Sequence, residues 1–293
     1  AMLFSVPLAI LAALFTSVFA DSRTKNIVKP TVEMMSAVPS VVVGFLGALW
    51  LAPIIDSNLL ATFIYVPLVA VLIAILAVLM GGEFLSSLIK RIPSLPIVLA
   101  MLMLILGVFL AQFMAYGIEA AFFQEGFKSW FVSSLDGDYD MRNSLIIGIA
   151  LGFAVIPIIY TISEDAFSSV PRGLTSASLA LGATPWQTAW RIILPSASPG
   201  VFAAISLGLG RAVGETMIVL MATGNTPIMD VNLFEGFRAL SANIAVEIPE
   251  APQGGTLYRV LFLSAGVLLI FTSVLNTLSE YVRQSLAKKF SRF

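Results

Sequence analysis

Seven runs of mostly apolar residues punctuate the chain, at about 2–20, 32–55, 58–80, 95–117, 143–162, 199–222 and 257–279. A bilayer core takes roughly 20 such residues to cross as a helix. The runs are continuous, whereas membrane β-strands alternate apolar and polar residues in segments of about ten. The expected fold is therefore all-α, a polytopic transmembrane helical bundle with about seven spans, forming one transmembrane domain over residues 1–293.

Composition supports this and narrows the chemistry. Of 293 residues, 58% are hydrophobic and 11% charged, less than half the charge of about 25% usual in a soluble chain. Cys and His are both absent, which removes disulfides, thiolate nucleophiles, His-based acid–base catalysis and the usual zinc sites. No catalytic residue and no metal site is expected. Sixteen basic and seventeen acidic side chains leave a net charge of −1, so no basic surface for nucleic acid is expected either.

Basic residues set the orientation. If 21–30 faces the cytoplasm, alternation puts 81–94, 163–198 and 280–293 there too. These four segments hold eleven of the sixteen Lys and Arg, among them Lys29, Lys90, Arg91, Arg172, Arg191, Arg283 and Arg292. Asp136, Asp138, Asp140, Glu247 and Glu250 fall on the outer side. The expected placement is a multi-pass membrane protein with a cytoplasmic C-terminus. Residue 1 then lies outside, as if an earlier span preceded it. Val18-Phe19-Ala20 could alternatively end a secretory signal, although residues 1–10 lack the basic n-region such signals need.

The segment 163–198 is the longest on the cytoplasmic side and is too apolar for a loose linker. SASLALGATPWQTAWRII predicts two short helices, the first ended by Gly182 and the second opened by Thr184-Pro185 as N-cap and first turn. Leu194-Pro195 is expected to stop the second, and Pro199 to open the next span. The outer stretches 118–142 and 223–256 read as solvated loops or as a surface for an external partner. The C-terminal YVRQSLAKKFSRF reads as a topology anchor beside membrane lipid.

Within that loop, Ala177, Gly182, Ile192, Leu194 and Pro195 match the pattern E-A-A-x3-G-x9-I-x-L-P at full spacing, with Ser178 for the second Ala and Ser176 in place of the Glu. The pattern marks the membrane subunits of binding-protein-dependent ABC importers. Together with GLGRAVGETMIVLMATGNTP and PTVEMMSAVPSVVVGFLGALWLAP, it makes the chain similar to PstC-type permeases of phosphate-specific ABC transporters. The likeness covers about 1–55 and 142–293. Residues 58–117 look like an inserted helix pair.

The resemblance implies a bacterial inner-membrane permease for phosphate. Implied partners are a homologous second permease, two cytoplasmic ATPases and an external phosphate-binding protein. The coupling residues are then Ala177, Ser178, Gly182, Ala183, Ile192, Leu194 and Pro195 within 163–198. The chain has no G-x4-G-K-[ST] loop, so ATP and Mg belong to partner subunits and no cofactor is expected here.

The charges inside the apolar runs include Glu33, Arg211 and Glu215. Glu33 lies one turn after Lys29 and can pair with it or snorkel. Arg211 is expected at mid-membrane, where a charge is costly, with Glu215 at i+4 on the same helix face. The two either neutralise each other or line a substrate path. In the second case Arg211 grips phosphate oxygens bidentately, and Glu215 accepts the proton that phosphate keeps and sulfate lacks. Ser206, Gly210 and Gly214 form a small-residue stripe on the same helix, suited to close packing with another helix. A permease for sulfate or molybdate, a secondary transporter and a phosphate-sensing membrane subunit remain alternatives.

Overall fold

The computed structural model describes residues 1–80, 95–123, 126–134, 139–227 and 232–290. Fourteen α-helices and two π-turns, with no strand, make up these residues. Lys90, Arg91, Asp136, Asp138 and Arg292 of the charge pattern lie outside them. Among the described residues, six helices are long and apolar enough to cross a membrane. The seventh expected span, α1 (Met2–Val18), is apolar but has 17 residues, about 25 Å at 1.5 Å per residue.

The chain divides into two compact units, 1–49 with 142–293, and 50–141. In the larger unit, α2 (Ser22–Ser36) and α3 (Ser40–Leu46) replace the start of the expected span 32–55. Pro39 lacks an N–H and pushes Val38 out of the helical region, so the helix breaks at 37–39 and the membrane-length helix runs from Ser40 to Ser57. Glu33 therefore lies on exposed α2, outside any span.

The smaller unit holds α4 (Ala52–Ser57), α5 (Leu59–Met80), α6 (Leu95–Phe122) and α7 (Phe127–Ser134). Helices α5 and α6 pack along each other, with Gly107 against Val69 and Tyr65. Buried Asp56 accepts from Lys128 Nζ at 2.7 Å and from Tyr139 Oη at 2.8 Å. Phe63, Phe123, Phe127, Trp130 and Phe131 gather in an aromatic cluster around α7.

The larger unit is built on α8 (Ser144–Ser168), whose N-cap Asn143 accepts from Ile146 N–H. Ala9, Ala13 and Leu14 of α1 pack on it together with Val155, Ile159 and Tyr160. Next come α9 (Arg172–Ala180), α10 (Pro185–Thr188), α11 (Leu194–Gly214), α12 (Met217–Ala222), α13 (Leu240–Glu247) and α14 (Thr256–Phe290). Buried Ala197, Val201, Ala204 and Gly208 recur at i, i+4, i+7 and i+11, one face of α11 against α8.

Leu194-Pro195 does not stop the second short helix, and Pro199 does not open a span. One helical path runs from Pro185 to Gly214. A π-turn at Ala189–Ile193 precedes Pro195, so the wider turn absorbs the ring and the lost N–H without ending the helix. Nor does the expected span 199–222 run through. It breaks at Glu215, whose ψ of 125° is extended, before α12 begins.

Candidate functional site

The two short helices expected between Ser176 and Ile193 are present as a hairpin, α9 and α10. Gly182 ends α9 with a φ of +85°, a conformation that costs a side-chain-bearing residue strain. Thr184 then opens α10 with a capping box. Gln187 N–H donates to Thr184 Oγ1 at 3.2 Å, and Thr184 N–H donates to Gln187 Oε1 at 2.9 Å. Ser178 and Thr188 share a hydroxyl hydrogen bond of 2.9 Å that ties the two helices.

Ala177 and Gly182 are exposed; Ser178, Ala183, Ile192, Leu194 and Pro195 are half-buried. Ile193 and Ala189 beside them are buried in the core that includes α8. Leu181 is 89% exposed, and Leu179, Trp186 and Trp190 are also exposed, so the hairpin shows an apolar surface above a buried base. An exposed apolar patch rimmed by polar residues marks a contact with protein or with membrane.

Arg211 and Glu215 are placed differently from the sequence expectation. Arg211 is half-buried in the last turn of α11. Glu215 has left the helix, so the two do not stack one turn apart on a common face. Glu215 Oε1 instead accepts from Met217 N–H at 3.3 Å and Ile218 N–H at 3.5 Å, holding the start of α12. Its carbonyl accepts from Ser241 Oγ at 3.0 Å. The residues i+4 apart thus mark a helix break; a break interrupts the α-helical ladder that i, i+4 reasoning assumes. Among the described residues Arg211 makes no ion pair or hydrogen bond. The site therefore offers a guanidinium with five free donors next to an interrupted helix.

Of the small-residue stripe, Gly210 lies toward Asn276 of α14, 3.4 Å from a Cβ built on it, and Ser206 lines an α11–α14 groove of about 380 Å³. A Cβ on Gly214 would meet nothing within 4 Å. The tightest glycine contacts of α11 lie elsewhere, at Gly200 against Ala166 and Gly208 against Ile159. Spacing alone could not pick among four glycines and three serines on one helix.

Lys29 does not pair with Glu33. Its Nζ lies 2.8 Å from Glu164 Oε2 and 2.7 Å from Asp165 Oδ1. Hydrogen bonds to Asp165 and then Glu164 hold its pKa above the usual lysine range. The signal was in the sequence: two adjacent acids end an apolar run on the side where 21–30 is basic.

Residues 80–292 match the family described as "Binding-protein-dependent transport system inner membrane component". The chain belongs to this family. It is an inner-membrane permease of the ABC transporter type, with the helical fold and multiple membrane spans expected of one.

Individual relatives agree. The chain is 26% identical over 281 residues to the "Probable ABC transporter permease protein YqgH" of Bacillus subtilis, covering 96% of this chain and 66% of that one. It is 27% identical over 292 residues to the "Phosphate transport system permease protein PstC" of Pasteurella multocida, covering 100% and 72%. With the protein of that same name in Xylella fastidiosa it shares 35% over 147 residues, 50% of this chain and 44% of the relative. The permease thus spans 66% of the length of the first of these relatives, just under two thirds.

Proposed function

We propose that this permease carries inorganic phosphate inward as part of an ATP-driven importer. The observation that carries the proposal is Arg211, a half-buried guanidinium without a protein partner in the last turn of a membrane helix that breaks four residues later. Relatives named for phosphate transport support the choice of anion.

A guanidinium inside a span is costly unless something neutralises it. A passing dianion does so, through two parallel charge-assisted hydrogen bonds. Glu215 commits Oε1 to the α12 amides and leaves Oε2 for the proton of hydrogen phosphate. Sulfate brings no proton, so the same carboxylate repels it.

The α9–α10 hairpin docks on a cytoplasmic ATPase through Leu179, Leu181, Trp186 and Trp190, with Ala177, Ser178, Gly182 and Ala183 giving its shape and Ile192, Leu194 and Pro195 its root. ATP and Mg bind in two such ATPase subunits. A homologous permease completes the path, an external phosphate-binding protein delivers the anion, and the C-terminus is cytoplasmic. Residues 58–117 form an accessory helix pair of the one permease domain.

Uptake of labelled phosphate by cells expressing the assembled complex tests this. Arg211→Ala is expected to abolish uptake while the complex still assembles, and Arg211→Lys to retain a fraction, since an ammonium lacks the planar fork. Undiminished uptake with Arg211→Ala in an assembled complex overturns the assignment.

A further inference from the structure

The corner between α1 and α2 is fastened on both sides of the point where α8 leads into the hairpin. Before the hairpin, Lys29 bridges Glu164 and Asp165 in the last turns of α8. Glu164 is buried, and its second oxygen accepts from Ser168 Oγ at 2.8 Å. Ser168 in turn meets Ser17 at 3.2 Å, and Lys25 Nζ donates to Ser17 O at 2.7 Å. Within the hairpin, Phe19 lies against Trp186, ring centroids 6.0 Å apart, and Trp186 against Trp190 at 5.7 Å.

Two features make this more than ordinary packing. Helix α2 buries none of its residues fully; Val28 and Val32 pack partly buried against the core, and the Lys29 bridge is its ion pair to α8. Two carboxylates near the C-terminus of α8 oppose its dipole, so the chain carries them there against the local preference and supplies Lys29 in answer. A displacement of the hairpin relative to α8 must either break one of the two fastenings or be passed through the α1–α2 corner to α8.

We infer that Lys29 is a positioning residue for energy coupling: the Phe19–Trp186 contact ties the α1–α2 corner to the hairpin and the Lys29 bridge ties the same corner to Glu164 and Asp165, so the corner passes hairpin motion to α8. The inference rests on reading the hairpin as the ATPase-docking element. The corner then passes hairpin motion to the last turns of α8, along which α1 packs in the core. Lys29 touches no substrate on this account. It sets how much of the ATPase stroke reaches the membrane helices.

The test uses the full reconstituted complex, with phosphate, sulfate and molybdate as probes, and reads anion moved per ATP hydrolysed. With Lys29→Met the complex is expected to assemble and hydrolyse ATP, and the ratio to fall about tenfold, within the usual span of coupling between sites. Lys29→Arg is expected to restore the ratio, and Phe19→Ala to lower it in the same direction. A purely structural lysine would lower assembly and leave the ratio of the surviving complexes unchanged. That result, or a wild-type ratio in Lys29→Met, overturns the inference. If Lys29→Met does not assemble, Phe19→Ala decides: an unchanged ratio overturns it. A separate arm reports on the docking reading itself. The chain has no Cys, so Leu181→Cys supplies a single thiol for cross-linking. A cross-link to an ATPase with an unchanged Lys29→Met ratio sinks the inference alone. A hairpin that cross-links to no ATPase removes the docking reading and the inference with it.

Discussion

Gly208 lets α11 lie directly on Ile159 of α8: a Cβ at that position would stand 2.7 Å from Ile159 Cγ1 and 3.0 Å from Val155 Cγ1. Gly208→Leu is therefore expected to lose about 1–3 kcal/mol through overpacking. Gly214→Ala meets open space on the same helix and is expected to leave stability within about 0.5 kcal/mol of wild type. Thermal unfolding of the two variants in detergent checks the contrast. Equal midpoints would contradict the packing.

Thr184→Ala removes one half of the capping box that starts α10 and is expected to cost about 1 kcal/mol locally. Because the core face of the hairpin stays buried, the loss should appear as faster amide exchange at Gln187 and Thr188, not as global unfolding. Gly182→Ala forces a side chain into positive φ and is expected to cost about 1–2 kcal/mol. Hydrogen-exchange mass spectrometry resolves both.

Lys29 and Glu164 are expected to couple by about 0.5–3 kcal/mol in a double-mutant cycle of Lys29→Met and Glu164→Gln. Removing Lys29 alone leaves a buried carboxylate without its cation and should be worse than removing both. The raised Lys29 pKa makes the bridge's contribution fully present below the free lysine value, near pH ~10.4. It is lost only as pH rises through the higher folded value. Unfolding midpoints from neutral to alkaline pH check the cycle and the sign.

Tyr139 is expected to ionise well above the ordinary tyrosine range of pH ~10. Burial raises its pKa first, and the hydrogen bond to Asp56 with that carboxylate's charge adds to it. A raised folded pKa stabilises fully below the unfolded value and fades as pH rises through the folded one. The ultraviolet difference titration of wild type against Tyr139→Phe should show no phenolate signal near pH ~10. A normal titration there would contradict the Asp56 contact.

Apolar run length carried the fold class, because a bilayer imposes one length on every spanning helix. It was less informative at helix ends. Pro39 shortened one run and Pro195 did not shorten another, and only the π-turn before Pro195 separates the two cases. The hairpin was legible because Gly182, Thr184 and Pro185 act through local backbone chemistry. Arg211 and Glu215 were legible as rare charges but not in their relation, which depends on a break at Glu215 that no proline announces. Helical spacing offers Lys29 a local partner, Glu33. Its partners Glu164 and Asp165 lie more than a hundred residues away, beyond the reach of periodicity.

ATP-driven transport selective for phosphate is read out by ATP hydrolysis in the reconstituted complex with phosphate, sulfate or molybdate supplied through the binding protein. Phosphate is expected to stimulate hydrolysis and accumulate inside the vesicles, while sulfate and molybdate leave hydrolysis near its basal rate. Stimulation by sulfate or molybdate but not by phosphate, or phosphate accumulation on an ion gradient without ATP, would contradict the account.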